Sequence, residues 1–365
     1  MYNRFRPGKV WYDTEGKRIQ AHGGSILYVD GTYYWYGENK EGMTGYSTGE
    51  KYPHWHMGVR LYASRDLYNW EDKGIIMIDE DPDGLFYPKN IMDRPHILYN
   101  EKTKLYVMWA KCAAKGFETS HFGVCVCEQI TGPFRFLHEV TATDPYHAGD
   151  FDLVEEDGHA YVIYENPHDS MICHTLNDDY TDVVSDEVSV HIPRPFPPFT
   201  REAPAYFRRG DDQFLLTSGT TGYFPNASEV FKMDGFHGHW ESVGDPCVGD
   251  RERTSFRSQF SSVFRHPHIK DLYIALGDRW CVDLPIEYPD IGTLYERIFN
   301  PAKEPLPKGF NFNQYSETNT QDATYVWLPI LFREDGVPYI VFRNEWTLED
   351  FDFDPLKRTP DSSEK

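Results

Sequence analysis

Residues 22–38, HGGSILYVDGTYYWYGE, consist of a polar residue, an apolar run, a short polar turn and a second, aromatic run. That succession predicts two antiparallel strands joined as a hairpin. The pattern returns in DRPHILYNEKTKLYVMWAK (93–111), DFDLVEEDGHAYVIYE (150–165), EAPAYFRRGDDQFLLTSG (202–219) and QFSSVFRHPHIKDLYIALGD (259–278). The apolar runs begin near residues 26, 97, 153, 206 and 263, so successive copies are 71, 56, 53 and 57 residues apart. A repeat of that length, with several strands per unit, predicts an all-β, five-bladed β-propeller rather than a solenoid or sandwich. In each copy one polar residue precedes the run by three or four positions. If the copies are related by rotation about one axis, His22, Asp93, Asp150, Glu202 and Gln259 converge on it.

Between the hairpins lie further strand candidates, MGVRLYAS (57–64), FGVCVCEQ (122–129) and MICHTLN (171–177), which bring each blade to about four strands. A final pair, TYVWLPILFREDGVPYIVFRNEW (324–346), has no polar leader of the same kind and completes the fifth blade. No long stretch keeps a helical apolar period. Residues 1–353 are therefore expected to form a single propeller domain with an inserted loop at 283–322, followed by a polar, disordered tail at 354–365. An insertion of that length is functional or disordered as a rule, and a rim over the axial pocket is compatible with it.

The formal net charge of −22 argues against nucleic acid or an anionic membrane as partner. No apolar run approaches the ~18 residues of a membrane span, and MYNRFRPGKVWYD has no apolar signal core, so a cytoplasmic location is expected. The six cysteines (112, 125, 127, 173, 247 and 281) show neither a C-x-x-C pair nor the density of a disulfide scaffold, and are expected as free thiols. The chain has 9 Trp, 25 Tyr and 24 Phe; most suit half-buried strands, and a few near the axis would offer flat platforms to sugar rings. There is no phosphate loop, dinucleotide fingerprint or G-x-S-x-G elbow. His54 and His56, like His266 and His268, lack a nearby third ligand for a metal.

An axis rich in acids, without a nucleophilic Ser or Cys, suits glycoside hydrolysis, which needs an acid at the leaving oxygen and a base or nucleophile on the opposite face. Glu202, in Arg-Glu-Ala-Pro-Ala, opens an apolar strand that would bury its carboxyl and raise its pKa. Asp150 is placed to be the neighbouring charge. Taken singly, each acid reads better as a structural cap of a strand end or turn; the recurrence of the polar leader in register five times makes the functional reading the better one.

The stretches 13–24, 94–100, 150–161, 201–205, 258–262 and 277–280, taken in order, resemble glycoside hydrolase family 43, and within it the exo-β-1,3-galactanase branch. The likeness runs from about residue 10 to 350. It implies an inverting enzyme with an axial pocket, Glu202 as general acid and Asp150 as the residue tuning its pKa. Many members place an aspartate base in the first blade, where this chain has His22-Gly23-Gly24. The branch resembles this sequence at Ser258-Gln259, and where it carries a glutamate before Arg-Pro this chain has the shorter Asp93. Gln259, through a relay involving its imidic tautomer, and Asp93 are thus the two candidates for the base side. The resemblance further implies substrate contacts on the loop carrying Thr221, Tyr223 and Asn226. His22, Glu165, Arg279 and Trp280 complete the candidate substrate contacts. No cofactor is expected and no metal ligand is assigned, while a structural calcium on the axis stays open. The expected partner is an oligosaccharide, β-1,3-linked galactose first. The alternatives are β-xylosidase or α-L-arabinofuranosidase activity, or a sugar-binding propeller without catalysis.

Overall fold

A computed structural model describes residues 1–42, 54–113, 120–140 and 143–351; the predicted tail at 354–365 lies outside them. The chain is a five-bladed β-propeller. The first blade comprises β1 (His22–Val29), β2 (Thr32–Glu38), β3 (Val59–Ser64) and β4 (Glu71–Met77), and the second β5 (Ile91–Asn100), β6 (Leu105–Ala113), β7 (Ser120–Cys127) and β8 (Arg135–Val140). The third holds β9 (Phe151–Glu156), β10 (His159–Asn166), β11 (Ser170–Leu176) and β12 (Val183–His191), and the fourth β13 (Arg201–Arg209), β14 (Asp212–Gly219), β15 (Ser228–Met233) and β16 (Trp240–Gly244). These four sheets are antiparallel meanders in chain order. The fifth contains β17 (Cys247–Val248), β18 (Gln259–Arg265), β19 (Tyr273–Arg279), β20 (Thr324–Phe332) and β21 (Pro338–Val341), ordered β17-β21-β20-β19-β18 with β17 parallel to β21. The hairpin at 324–346 thus completes the fifth blade. The opening strands touch in the cyclic order β1, β5, β9, β13, β18 and back to β1, which closes the ring.

Local chemistry explains the hairpins. At the β1–β2 and β9–β10 turns, Asp30-Gly31 and Asp157-Gly158 all have positive φ, the conformation that matches the twist of paired strands and that Asp-Gly accepts most readily. Both faces of the middle strands are buried, because blades pack on each other through five apolar seams. Tyr36, Leu61, Met92 and Met108 join blades one and two; Trp109, Phe122, Phe151 and Tyr164 join two and three. Ile163, Met171, Leu215 and Phe231 join three and four, and Phe207, Leu216, Phe260 and Val326 join four and five. All six cysteines are free. Among the described residues no helix is long and apolar enough to cross a membrane.

The insertion at 283–322 carries a feature the sequence pattern did not announce, the nine-residue helix α1 (Ile291–Phe299). Asp290 caps it by accepting from the Gly292 amide, and Ile291 and Leu294 bury one face. Two and a half turns are too short to build a convincing period. The helix rests on an apolar cluster of its own with Phe224, Trp280 and Leu284.

The last seam joins blade five to blade one and recruits the N-terminal segment. Phe5 exchanges backbone hydrogen bonds with Trp346 (2.9 and 3.1 Å) and stacks on its indole with ring centroids 4.1 Å apart. Trp35 and Trp327, one from each blade, meet edge to face at 4.6 Å. Phe5 is almost wholly buried, so Phe5→Ala should destabilise the fold by about 3–5 kcal/mol, the usual cost of emptying a buried aromatic site. Urea unfolding would show this as a lowered midpoint, whereas an unchanged midpoint would mean that the ring closes without that contact.

Candidate active site

The polar leaders do not precede their strands as the sequence suggested; four of the five are in or at the start of them. In β1, β5, β13 and β18 an irregularity in the ladder follows directly: after His22, Asp93, Glu202 and Phe260 the register shifts. The next residue after the leader has positive φ in three cases, Gly23 (62°), Arg94 (54°) and Ala203 (47°). Such bulges kink the strand end and re-aim its side chain. Opposite each leader, at the end of the second strand, stands another polar residue. The pairs are His22 with Glu38, Asp93 with Lys111, Glu202 with Ser218 and Gln259 with Asp278. Glu165 pairs with Asp150 through its amide, which donates to the Asp150 carbonyl (2.8 Å).

Arg94 binds this array together. Its Nη2 donates to Asp150 Oδ2 (2.9 Å) and Gln259 Oε1 (2.6 Å), while Glu38 Oε1 accepts from its backbone amide (2.9 Å). Gln259 Oε1 also accepts from Trp280 Nε1 (3.3 Å), and Gln259 Nε2 donates to Glu202 Oε1 (2.9 Å) and Ser218 Oγ (3.0 Å). Arginine and indole nitrogens only donate, so this amide orientation is the one that satisfies them. Glu202 Oε1 is consequently an acceptor, and a proton on this carboxyl resides on Oε2.

Electrostatics separate the acids into two kinds. Burial, reinforced by the charges of Asp150 and Glu165, pushes the Glu202 carboxyl well above the ordinary glutamate range. Asp150 is equally buried, but Arg94 and Lys111 outweigh that and hold it below the usual aspartate value. One carboxyl is thus biased towards holding its proton beside one biased towards losing it. Burial also raises Glu38 to about 7 despite Lys40 at 2.6 Å, and raises Glu165 to about 7 with help from Asp150. Asp93 Oδ1 accepts from Trp55 Nε1 (2.6 Å), and Lys40 and Lys111 lie 3.8 and 3.7 Å from its carboxylate. Among the described residues no three His, Cys, Asp or Glu side chains converge to hold a metal ion.

These groups open into a cavity of about 440 Å³, within the range of small-molecule sites (~300–1,000 Å³). Of the residues singled out from sequence, Asp93, Asp150, Glu165, Glu202, Tyr223, Gln259 and Trp280 line it. The other four are placed elsewhere. His22 is fully buried, with Nδ1 on Asp278 (2.8 Å), Nε2 on Gln20 (3.1 Å) and its ring stacked on Tyr325; its register partner Glu38 reaches the cavity instead. The Thr221 hydroxyl donates to the Phe224 carbonyl (2.7 Å) and accepts from Asn226, which itself accepts from the Gly219 amide (2.6 Å). Both hold the loop that presents Tyr223. Arg279 is turned away, donating to the carbonyls of Phe256 (2.9 Å) and Arg257 (3.2 Å). Lining residues that the pattern of leaders did not single out include Glu38, Trp55, Arg94, Lys111, Tyr295 and Phe299. Glu38 and Lys111 carried a signal, as polar residues ending the second apolar run.

A five-bladed propeller whose axis pairs a carboxyl biased towards its proton with one biased towards ionisation, between Trp and Tyr walls, has the architecture of a glycoside hydrolase. The model of glycosyl hydrolases family 43 matches residues 18–274, and the chain belongs to that family. No curated protein matches it significantly. Similar solved structures include a family 43 β-1,3-galactosidase, 26% identical with a TM-score of 0.76 over 96% of this chain and 65% of that one. A second family 43 β-1,3-galactosidase, solved with galactodeoxynojirimycin, is 26% identical with a TM-score of 0.74, covering 94% of this chain and all of its own. An exo-β-1,3-galactanase from Phanerochaete chrysosporium, solved with β-1,3-galactotriose, shares the fold at 23% identity and a TM-score of 0.75, over 95% and 68% of the two chains.

Raised carboxyls leave a signature in stability. Glu38 and Glu165 bind protons more tightly folded than unfolded, so their contribution is full below the ordinary glutamate value and is lost as pH rises to about 7. The melting temperature should therefore fall between about pH 5 and pH 8, and Glu165→Gln should lessen that fall. An identical pH profile in the variant would show that Glu165 is not titrating there.

Proposed function

We propose that the protein is an inverting, exo-acting glycosidase that releases terminal galactose from β-1,3-linked galacto-oligosaccharides. The observation that carries this reading is Glu202: a buried carboxyl at the axial cavity, its pKa raised by burial and by the neighbouring charges of Asp150 and Glu165, with Gln259 donating to one of its oxygens and leaving the other to bear a proton. Such a group can protonate a leaving glycosidic oxygen. Asp150 favours that proton by its charge, and Arg94 favours an ionised Asp150. The choice of galactose is supported by the two β-1,3-galactosidases at 26% identity, one of them solved with galactodeoxynojirimycin.

On the water side the resting geometry divides two roles. Asp93 supplies an ionisable carboxylate within the cavity. Gln259 Oε1 already accepts two hydrogen bonds, and a neutral amide is a very weak base, so Gln259 takes a proton only where substrate draws Arg94 or Trp280 away. Product release from β-1,3-galactobiose, with the anomer followed by NMR, tests the whole scheme. α-Galactose should form first, and Glu202→Gln should lower kcat by about 100-fold or more, the usual worth of a general acid. Of Asp93→Asn and Gln259→Ala, the one that abolishes turnover while sugar still binds marks the base. Binding without turnover in the parent protein would overturn the enzyme reading in favour of a sugar-binding propeller.

A second outcome concerns pH. Asp150→Asn removes a charge that raises the Glu202 pKa, so the alkaline limb of kcat/KM should move to lower pH. A limb that stays in place would mean that another group titrates there.

A further inference from the structure

The cavity has two chemically distinct halves. Its floor, at the axis, is charged and comes from the ends of the innermost strands. One side of its wall is aromatic and comes from the insertion, where Tyr295 and Phe299, four residues apart on α1, both line the cavity. Each is only partly buried, unlike Ile291 and Leu294 on the face that packs down. The two rings lie nearly parallel (24°) with centroids 6.3 Å apart. Phe299 also meets the ring of His168 edge-on at 4.9 Å. His168 sits in the β10–β11 turn with φ 63° and likewise lines the cavity, so an insertion of blade five reaches the rim of blade three.

We propose that Tyr295 and Phe299 form the acceptor-side subsite, a platform for the sugar that leaves, while the acidic floor holds the sugar that is cleaved. This rests on the glycosidase reading above. A pyranose ring offers a polar edge of hydroxyls and a face of C–H groups; the floor suits the first and a partly buried aromatic pair on the cavity wall the second. Glu202 opens into the same cavity, and a glycosidic oxygen joining the two rings would need its proton. The platform also stands on its own apolar cluster, apart from the blade seams, so a ring can be removed from it without emptying a seam.

The test compares two donors of the same cleaved sugar. β-1,3-Galactobiose carries an acceptor sugar and β-galactosyl fluoride carries none. Phe299→Ala should raise KM for galactobiose by about tenfold, as expected for one lost stacking partner, with a several-fold smaller change for the fluoride. Phe299→Tyr should restore most of the loss. Equal losses on both donors, or none on either, would overturn the proposal. If the parent protein hydrolyses neither donor, the glycosidase reading fails separately, and calorimetry on Glu202→Gln decides this one. Tighter binding of galactobiose than of galactose, with that margin lost in the Phe299→Ala double variant, supports the platform; no margin in Glu202→Gln overturns it.

Discussion

Arg94 is the side chain on which the site depends, because it joins four of the five blades at their common axis. It belongs to blade two, holds Glu38 of blade one by its amide, and holds Asp150 of blade three and Gln259 of blade five by its guanidinium. Through Gln259 it reaches Glu202 and Ser218 of blade four. It does this in a left-handed backbone conformation, disfavoured for any residue but glycine and tolerated where the surroundings over-determine it. The register shift that accompanies this conformation falls directly after Asp93, the last paired residue before the bulge, so strain and register meet beside the acid. A buried carboxylate without its cations is strongly destabilising, and Arg94 is the larger of the two charges, with Lys111, that favour an ionised Asp150 at that depth.

The same crowding makes an acid out of Glu202. Five carboxyls, Glu38, Asp93, Asp150, Glu165 and Glu202, line a cavity whose nearby cations are Lys40, Arg94 and Lys111. Burial alone would lower the Lys111 ammonium, yet the surrounding carboxylates raise it. The surplus of acid over base favours protonation, and burial counts for as much as pairing: Glu38 is raised to about 7 although Lys40 lies 2.6 Å away. Asp150 has two cations within 3.5 Å and is shifted towards ionisation; Glu202 is bonded to an amide and is shifted towards protonation. Function is thus obtained at some cost in stability above neutral pH, as is common where pKa values are tuned for catalysis.

Much of this was legible in the sequence. The hairpin repeat with its polar leaders marked the propeller and placed Asp93, Asp150, Glu202 and Gln259 in one cavity, because a strand period of two and a rotational repeat leave little freedom for an inward residue. His22 went astray for a reason the repeat does not contain. Gly24 presses so close that a Cβ there would lie 1.9 Å from the Tyr36 carbonyl, and blade one closes over its leader while Glu38 takes the opening. The five second-strand residues were equally regular, yet only Glu165 was singled out, since a polar residue ending an apolar run reads as an ordinary turn. Arg94 and Trp55 owe their roles to contacts across blades, and nothing local announces those.

Helix α1 shows the complementary limit. Its sequence, Ile-Gly-Thr-Leu-Tyr-Glu-Arg-Ile-Phe, includes one of the poorest helix formers and is too short to be stable alone. Its conformation is set by docking on Phe224, Trp280 and Leu284, residues distributed over two blades and the insertion. A segment whose shape comes from tertiary contacts can change without disturbing the ring of strands, whereas the axial residues cannot change without disturbing one another. The fold therefore separates two tasks: the closed, mutually dependent axis holds the protons, and the independently seated insertion shapes what may enter beside them.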